Sequence, residues 1–243
     1  MEKEIVHIHQ VVTRLPELRF AEPVEWRICE GEQWAVVGPN GAGKTLLADI
    51  LQRKFAFREG EVCYNKEGKV SDIIRSIAFK DIYSLADCRN SYYQQRWHST
   101  ESDDVPTVAE TLSVYEGTEN LKEVLHIFGI EDLLPKKLIY LSSGELRKFL
   151  IVRTLLSRPE ILILDTPFIG LDAPSRDLLV DMLGQLSHLH GVQVILLLSN
   201  PADIPDMITH VLPIAGKKCY PPMSREAFLA DTALIQVLFP EEN

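Results

Sequence analysis

A glycine-rich turn with one lysine is the stretch whose chemistry is most specific. The segment GPNGAGKT, Gly38 to Thr45, fits the pattern G-x-x-x-x-G-K-[ST], and it lies between an apolar run and a helical pattern. Its glycines permit a tight turn whose backbone N–H groups point at phosphate oxygens at a helix N-terminus. Lys44 supplies positive charge for the β and γ phosphates, and Thr45 offers a hydroxyl to Mg²⁺. The segment predicts a nucleotide-phosphate site rather than an ordinary glycine turn.

A second group of polar residues lies in one continuous stretch, residues 141–172. LSSGE comes first, the apolar run ILIL then ends at Asp165, and GLD follows. The two serines and the glycine can begin a helix whose N–H groups and hydroxyls meet an anion, or they can form an ordinary N-cap with Glu145 in the first turn. A carboxylate at a strand end can position Mg²⁺, although a lone aspartate there is usually a turn former.

Alternating strands and helices must hold these residues. Short β segments are predicted over residues 5–37, and QWAVVG, EILILD and VQVILLLS read as buried strands. The patterns TLLADILQRKF and SRDLLVDMLGQLSHLH are helical, and residues from about 96 to 158 form a mostly helical insertion in which Leu121, Val124, Leu125 and Phe128 share one helix face. The order favours an α/β fold with a parallel sheet covered on both faces.

The phosphate loop, LSSGE, the Asp165 strand and GLD together resemble the ATP-binding cassette (ABC) ATPases, whose signature is usually LSGGQ. The resemblance covers nearly the whole chain. It implies a P-loop NTPase fold with a mostly parallel sheet, an N-terminal antiparallel β portion and a helical subdomain insertion. It also implies a single nucleotide-binding domain over 1–243, with a RecA-like core plus β portion over 1–95 and 159–243 and a helical subdomain over about 96–158 that carries the signature.

The family resemblance also implies ATP and Mg²⁺ as cofactors and assigns roles to residues. Asp165 resembles the Walker B aspartate that positions Mg²⁺ together with Thr45. Gln94 or Gln95 resembles the Q-loop glutamine that contacts Mg²⁺ and the attacking water, with a polar surface loop as the alternative. Asp172 resembles the D-loop aspartate of the dimer interface and can also be the N-cap of the next helix. The implied nucleotide contacts are Gly38, Pro39, Asn40, Gly41, Ala42, Gly43, Lys44, Thr45, Leu46, Ser142, Ser143, Gly144, Glu145 and Asp172.

Three positions depart from the family pattern. Thr166 replaces the glutamate that would orient the attacking water, and an uncharged hydroxyl cannot serve as that base. Asn200 stands where the family has its switch histidine, so a hydrogen bond to the γ-phosphate can survive without the histidine. No aromatic residue is found near residues 14 and 15 to stack on adenine, where Arg14 could stack instead.

These departures lead to three competing hypotheses. In the first, the chain binds MgATP and dimerises head to tail with a second cassette, as a homodimer, a heterodimer or half of a tandem protein. It then hydrolyses ATP slowly alone, as the ATP-binding component of a transporter with a membrane permease. A weaker similarity links the chain to tandem two-cassette proteins associated with molybdenum transport. In the alternatives, the chain is a homodimeric ABC ATPase with ordinary turnover, or a soluble nucleotide-sensing interaction module.

Composition limits the other function classes. The 243 residues are 46% hydrophobic, and 35 acidic against 25 basic residues give a net charge of −10, which argues against a nucleic-acid partner. The cysteines are scattered and the histidines, among them His7 and His9, suggest no metal-ligand cluster. No apolar run approaches the roughly 20 residues that span a bilayer. We therefore predict a cytoplasmic protein that reaches a membrane only through a partner.

Overall fold

The computed structural model describes residues 3–79, 106–118 and 121–240, apart from the side chains of residues 189 and 190. The strands there are β1 (Glu4–Thr13), β2 (Val24–Cys29), β3 (Trp34–Val37), β4 (Phe57–Tyr64), β5 (Ile74–Ala78), β6 (Ile161–Asp165), β7 (Gln193–Leu198), β8 (His210–Ala215), β9 (Lys218–Cys219) and β10 (Met223–Ser224). The α-helices are α1 (Lys44–Leu51), α2 (Val70–Ile73), α3 (Val108–Leu112), α4 (Leu121–Phe128), α5 (Ser143–Leu155), α6 (Ala173–His190), α7 (Arg225–Ala230) and α8 (Thr232–Leu238).

The strands form two sheets. One has three antiparallel strands in the order β2-β1-β4, and the other has seven strands in the order β10-β8-β3-β7-β6-β5, with β9 beside β8. The central pairs β8–β3, β3–β7 and β7–β6 are parallel, whereas β10 and β9 pair with β8 in the antiparallel sense. The α/β fold class, with its mostly parallel sheet and N-terminal antiparallel strands, is therefore confirmed.

Burial explains which strands are central. Every residue of β3, β6 and β7 is buried, as expected for parallel strands packed on both faces. In β2 the buried residues Val24, Trp26 and Ile28 alternate with more exposed ones, because only one face of that strand meets the core. Trp26 packs edge-on against Trp34 of β3 with ring centroids 5.3 Å apart. This contact joins the two sheets through one hydrophobic core.

The chain divides into two compact units. The first contains residues 1–76, 159–167 and 187–243, and the second contains residues 77–158 and 168–186. The phosphate loop belongs to the first unit and LSSGE to the second. In the second unit α4 buries Val124, Leu125 and Phe128, the face predicted from their spacing. Among the described helices, none combines the length and the apolar character needed to cross a bilayer.

Candidate functional site

The phosphate loop joins β3 to α1, and its backbone path requires glycine at two positions. A Cβ on Gly38 would lie 1.9 Å from the carbonyl oxygen of Ile214, because the chain passes directly against β8. Gly43 is the N-cap of α1 with a φ of 110°, which L side chains rarely adopt. The loop therefore ends at a helix N-terminus whose first N–H groups have no partner within the helix, the arrangement that binds phosphate.

Lys44 is held inside the turn that precedes it. Its ammonium group donates to the carbonyl oxygens of Gly38 at 2.6 Å and Pro39 at 2.9 Å, and the residue is only 5% exposed. A buried ammonium on this short turn places a full positive charge at the helix N-terminus. A phosphate oxygen would be a stronger acceptor for that charge than a neutral carbonyl. The residues Pro39, Asn40, Ala42 and Leu46 complete the predicted loop; the Asn40 amide oxygen accepts from Ser199 at 2.9 Å.

The first residue after Lys44 meets the end of β6. The Thr45 hydroxyl donates to Asp165 Oδ2 at 2.7 Å, and Asp165 is 6% exposed. Its other oxygen, Oδ1, is buried without a hydrogen-bond partner among the described residues. A buried carboxylate oxygen without a donor needs a cation or a water to compensate for the lost solvation. A hydroxyl and a carboxylate side by side are ligands that suit Mg²⁺, so the predicted metal-binding pair fits that ion.

Thr166 follows Asp165 in an unusual backbone conformation. Its φ is 52°, in the left-handed region that a β-branched residue rarely adopts. Two hydrogen bonds hold it there: its backbone N–H donates to the Leu197 carbonyl at 3.1 Å, and its hydroxyl donates to the Asp165 carbonyl at 2.8 Å. The side chain thus supplies neither a charge nor a proton acceptor of carboxylate strength next to Asp165.

Asn200 lies just after β7 and is exposed. Its amide oxygen accepts from the backbone N–H of Ala202 at 3.0 Å and caps the 3₁₀ turn Pro201–Asp203. With the oxygen used as a cap, only the amide N–H groups are left to donate to a ligand. Asparagine also carries no charge that changes with pH, unlike the histidine of the family pattern.

In the second unit, LSSGE begins helix α5 with a capping box. The Ser142 hydroxyl oxygen accepts from the Glu145 N–H at 3.2 Å, and the Glu145 carboxylate accepts from the Ser142 N–H at 2.8 Å. Lys136 also donates to Glu145 at 2.7 Å, and this hydrogen bond lowers the pKa of that carboxyl. Ser142 and Ser143 are exposed at the helix N-terminus. The cap geometry agrees with the ordinary reading of LSSGE and leaves the role in phosphate binding a prediction.

The loop around Asp172 lies against α5 within the same unit. Asp172 Oδ1 accepts from the Ser175 N–H at 3.0 Å, so it acts as the N-cap predicted for α6. Hydrogen bonds from the Ser175 side chain and then from its backbone N–H lower the pKa of Asp172. Arg147 of α5 is 4% exposed and donates to the Ile169 carbonyl at 2.7 Å. Its guanidinium also lies 5.1 Å from the centre of the Phe79 ring. Arg147, which the sequence analysis did not single out, therefore fixes the signature helix to the segment before Asp172.

Two further residues beside the phosphate loop were not found from the sequence. The Phe20 ring comes within 3.4 Å of the position of a Cβ on Gly43, and the Lys217 side chain comes within 3.5 Å. Lys217 donates its N–H to the Ala42 carbonyl at 2.9 Å, and its carbonyl accepts from Ala21 at 2.7 Å. Arg14 is exposed at the end of β1. A search for an aromatic residue up to about 20 positions before the loop would have found Phe20.

The predicted glutamines, Gln94 and Gln95, lie outside the described residues, so their assignment stays a prediction. The expectation that the histidines form no metal-ligand cluster stays a prediction, although two of them lie beside a carboxylate in the part of the chain that the structure describes. Glu25 of β2 joins His7 and His9 of β1, and one ligand atom of each lies within 4.8 Å of the others. Burial raises the pKa of Glu25, but hydrogen bonds from His7 and Gln10 outweigh it and lower the pKa to about 2. Strand pairing creates this cluster, which spacing along the chain cannot reveal.

Strand β3, the glycine loop, α1 and the Asp165 strand define a protein of the P-loop nucleotide-binding class. The family profile described as ABC transporter matches residues 21–169, more than half of the chain. The chain belongs to this family of ATP-binding cassette proteins.

Individual relatives agree with that assignment. An uncharacterized ABC transporter ATP-binding protein of Schizosaccharomyces pombe is 31% identical over 204 residues, which cover 80% of this chain and 42% of that protein. The ABC transporter ATP-binding protein ModF of Escherichia coli is 30% identical over 98% of this chain and 48% of its own length. The chain thus spans less than half of each. The structure of cbiO1 from Clostridium perfringens, part of the ABC transporter complex cbiONQ, matches with a TM-score of 0.78 at 17% sequence identity. The match covers 97% of this chain and 94% of the cbiO1 chain.

Proposed function

We propose that this chain is a cassette that binds MgATP, dimerises head to tail with a second cassette and hydrolyses ATP slowly by itself. In a transporter, it would be an ATP-binding component that works with a membrane permease. One observation carries the proposal: Thr166, a residue without a carboxylate, stands directly after Asp165, which is buried and accepts a hydrogen bond from Thr45.

The binding half of the proposal rests on the first unit. Lys44 and the N-terminus of α1 supply positive charge for the β and γ phosphates, and Thr45 with Asp165 would hold the metal. Bound Mg²⁺ neutralises charge on the phosphate oxygens. Phe20, a ring beside Gly43, is the candidate to contact the nucleoside, in place of the Arg14 contact inferred from sequence.

The expectation of slow hydrolysis rests on the side chains at positions 166 and 200. The Thr166 hydroxyl donates to a backbone carbonyl, and Asn200 uses its oxygen as a cap. Neither side chain can accept a proton from water at neutral pH in the way a carboxylate does. A general base of this kind contributes a factor of roughly 10² to 10⁴ to a rate. The isolated chain is therefore expected to hydrolyse ATP more slowly than a complete cassette by a factor in that range.

The test is a pair of substitutions at one position. Thr166→Glu adds the carboxylate, and Thr166→Gln adds an amide of the same size at the same backbone conformation. Steady-state phosphate release should rise by roughly 10² or more with Thr166→Glu and stay low with Thr166→Gln. Lys44→Ala, measured in parallel, gives the background without nucleotide binding. Rapid hydrolysis by the unsubstituted chain, unchanged by Thr166→Glu, would instead favour the homodimeric ATPase with ordinary turnover.

The same assay tests the role of LSSGE toward a partner. Ser142→Asp retains an N-cap residue but adds a negative charge where a partner's γ-phosphate would lie. Mixed with a cassette that has its own catalytic glutamate, the unsubstituted chain should support turnover and Ser142→Asp should not. Full turnover by the Ser142→Asp mixture would argue for a nucleotide-binding module that acts without this contact.

A further inference from the structure

The outer face of the three-stranded sheet carries two histidines on one strand. In β1, Ile8 is buried, so alternation places its neighbours His7 and His9 on the opposite face. The His7 side chain is 14% exposed and that of His9 is 56% exposed, and their ring centroids lie 5.3 Å apart. Two imidazoles at positions i and i+2 of a strand thus point to the same side of the sheet.

A β-bulge brings a carboxylate from β2 between these rings. Ile8 pairs with Trp26 and Val11 pairs with Val24, so β1 contains one residue more than β2 over this interval. Gln10, in the bulge, has a φ of 46°. Its backbone N–H and its side-chain amide donate to Glu25 Oε2 at 3.1 Å and 3.0 Å. These two hydrogen bonds fix the Glu25 carboxylate over the bulge.

The bulge is supported from the other side by Gly60 of β4. A Cβ on Gly60 would lie 2.3 Å from the Gln10 carbonyl oxygen and 2.4 Å from that of His9. Gly60 also has a φ of 78°. A glycine is therefore needed where β4 passes the bulge, and the position of the histidines depends on a backbone feature shared by all three strands.

Nitrogen and oxygen atoms converge at this point. His7 Nε2 lies 2.5 Å from Glu25 Oε1, and His9 Nδ1 lies 3.2 Å from Glu25 Oε2. Ligands bound to one Zn²⁺ at about 2.0–2.2 Å lie somewhat over 3 Å from one another. The two contacts, one to each carboxylate oxygen, are therefore close to the spacing that ligands of one such ion require, and the His7–Glu25 distance would have to lengthen by a fraction of an ångström.

Three further residues lie beside the group formed by the two histidines and Glu25: Glu4, Arg27 and Cys63. Glu4 Oε1 lies 3.9 Å from the second ring nitrogen of His7, beyond hydrogen-bond distance but near enough for a side-chain rotation to bring it to the position of the carboxylate that often orients a metal-bound imidazole. Arg27 Nε lies 3.3 Å from His7 Nε2, but its side chain is 64% exposed and long enough to turn into solvent. Cys63 of β4 is paired with His7 in the strand register and is exposed.

We propose that His7 Nε2, His9 Nδ1 and the Glu25 carboxylate bind one divalent transition-metal ion of the Zn²⁺ type, with water in the fourth position. Two imidazoles and one carboxylate are a ligand set that suits Zn²⁺ and its substitute Co²⁺ better than Mg²⁺. This site lies on the antiparallel sheet and shares no residue with the Thr45–Asp165 pair.

The test uses metal-free full-length chain titrated with Co²⁺ in the absence of nucleotide. One equivalent should bind and give the visible absorption of four-coordinate Co²⁺, and Zn²⁺ should displace it. His9→Asn removes an exposed ligand with little effect on folding, and Glu25→Gln removes the carboxylate but keeps its shape. Each should weaken binding by roughly tenfold or more, the effect of even an outer partner of a metal ligand.

Two controls make the result decisive. His126→Asn removes a histidine that is also paired with a glutamate, Glu131, at 3.1 Å but that is 87% exposed in its side chain and is not part of the cluster. It should leave Co²⁺ binding unchanged. Cys63→Ser should also leave it unchanged; loss of binding there would make the thiol a ligand and overturn the three-ligand assignment. Absence of stoichiometric Co²⁺ binding, or full affinity in both His9→Asn and Glu25→Gln, would overturn the proposal itself.

Discussion

Replacement of Gly60 by alanine tests whether the bulge in β1 is enforced by the neighbouring strand. The added methyl group would lie 2.3 Å and 2.4 Å from two carbonyl oxygens of β1, well inside the 3.4 Å of ordinary contact. Both contacts are with backbone atoms, so no side-chain rotation can relieve them. The substitution must therefore shift β1 or β4 where His9 and Gln10 lie.

The expected loss of stability has two parts. A left-handed φ costs an alanine about 1–2 kcal/mol relative to glycine, and this part applies to any glycine with a similar φ. Forcing a group into a packed site adds about 1–3 kcal/mol. We therefore expect Gly60→Ala to lower the free energy of unfolding by about 2–5 kcal/mol.

Gly31→Ala is the matched control. Gly31 has a φ of 87°, close to the 78° of Gly60, but a Cβ there would meet nothing within 4 Å. It should show only the backbone part, about 1–2 kcal/mol. Chemical denaturation followed by tryptophan fluorescence can compare the two, since Trp26 and Trp34 are buried in the core shared by this sheet. If Gly60→Ala is no more destabilising than Gly31→Ala, the steric argument for the bulge is refuted.

Two shorter predictions concern nucleotide binding. Phe20→Ala should weaken ATP binding by about 1–3 kcal/mol, the value of one base–aromatic stack, while Phe20→Tyr should not; calorimetric titration measures both, and a larger effect of Arg14→Ala would return the contact to Arg14. Asp165→Asn should remove most of the increase in ATP affinity that Mg²⁺ provides, because the buried oxygen without a donor loses its charge. An unchanged magnesium dependence in the same titration would place the metal elsewhere.

Local patterns predicted the parts of the site that are contiguous in sequence. The segment from Gly38 to Thr45 forms a turn between a buried strand and a helix, as the pattern required. Asp165 ends a fully buried strand, and its contact with Thr45 follows from the parallel sheet, which places the carboxyl ends of β3, β7 and β6 at one edge. These outcomes were predictable because a short contiguous motif and the topology of a parallel sheet each allow only a few arrangements.

Contacts across strands were not predictable in the same way. Phe20 approaches Gly43, and Glu25 approaches His7 and His9, only because long-range pairing brings their elements together. The bulge adds a second difficulty, since an extra residue in one strand changes which side chains face each other. One sequence without the register cannot show this, and the spacing of the histidines along the chain accordingly suggested no metal-ligand cluster.

The capping box at LSSGE is compatible with a role in binding phosphate. Ser142 uses its hydroxyl oxygen as an acceptor toward Glu145, so the hydroxyl proton is still available to an incoming anion. Glu145 accepts from both Ser142 and Lys136, which compensates the negative charge that it brings to the helix N-terminus. A glutamate in place of the family's glutamine therefore need not repel a phosphate, because its charge is already neutralised locally. Lys136→Gln would leave the Glu145 charge uncompensated. It should therefore weaken the binding of a partner's ATP by more than the exposed position of Lys136 alone would suggest.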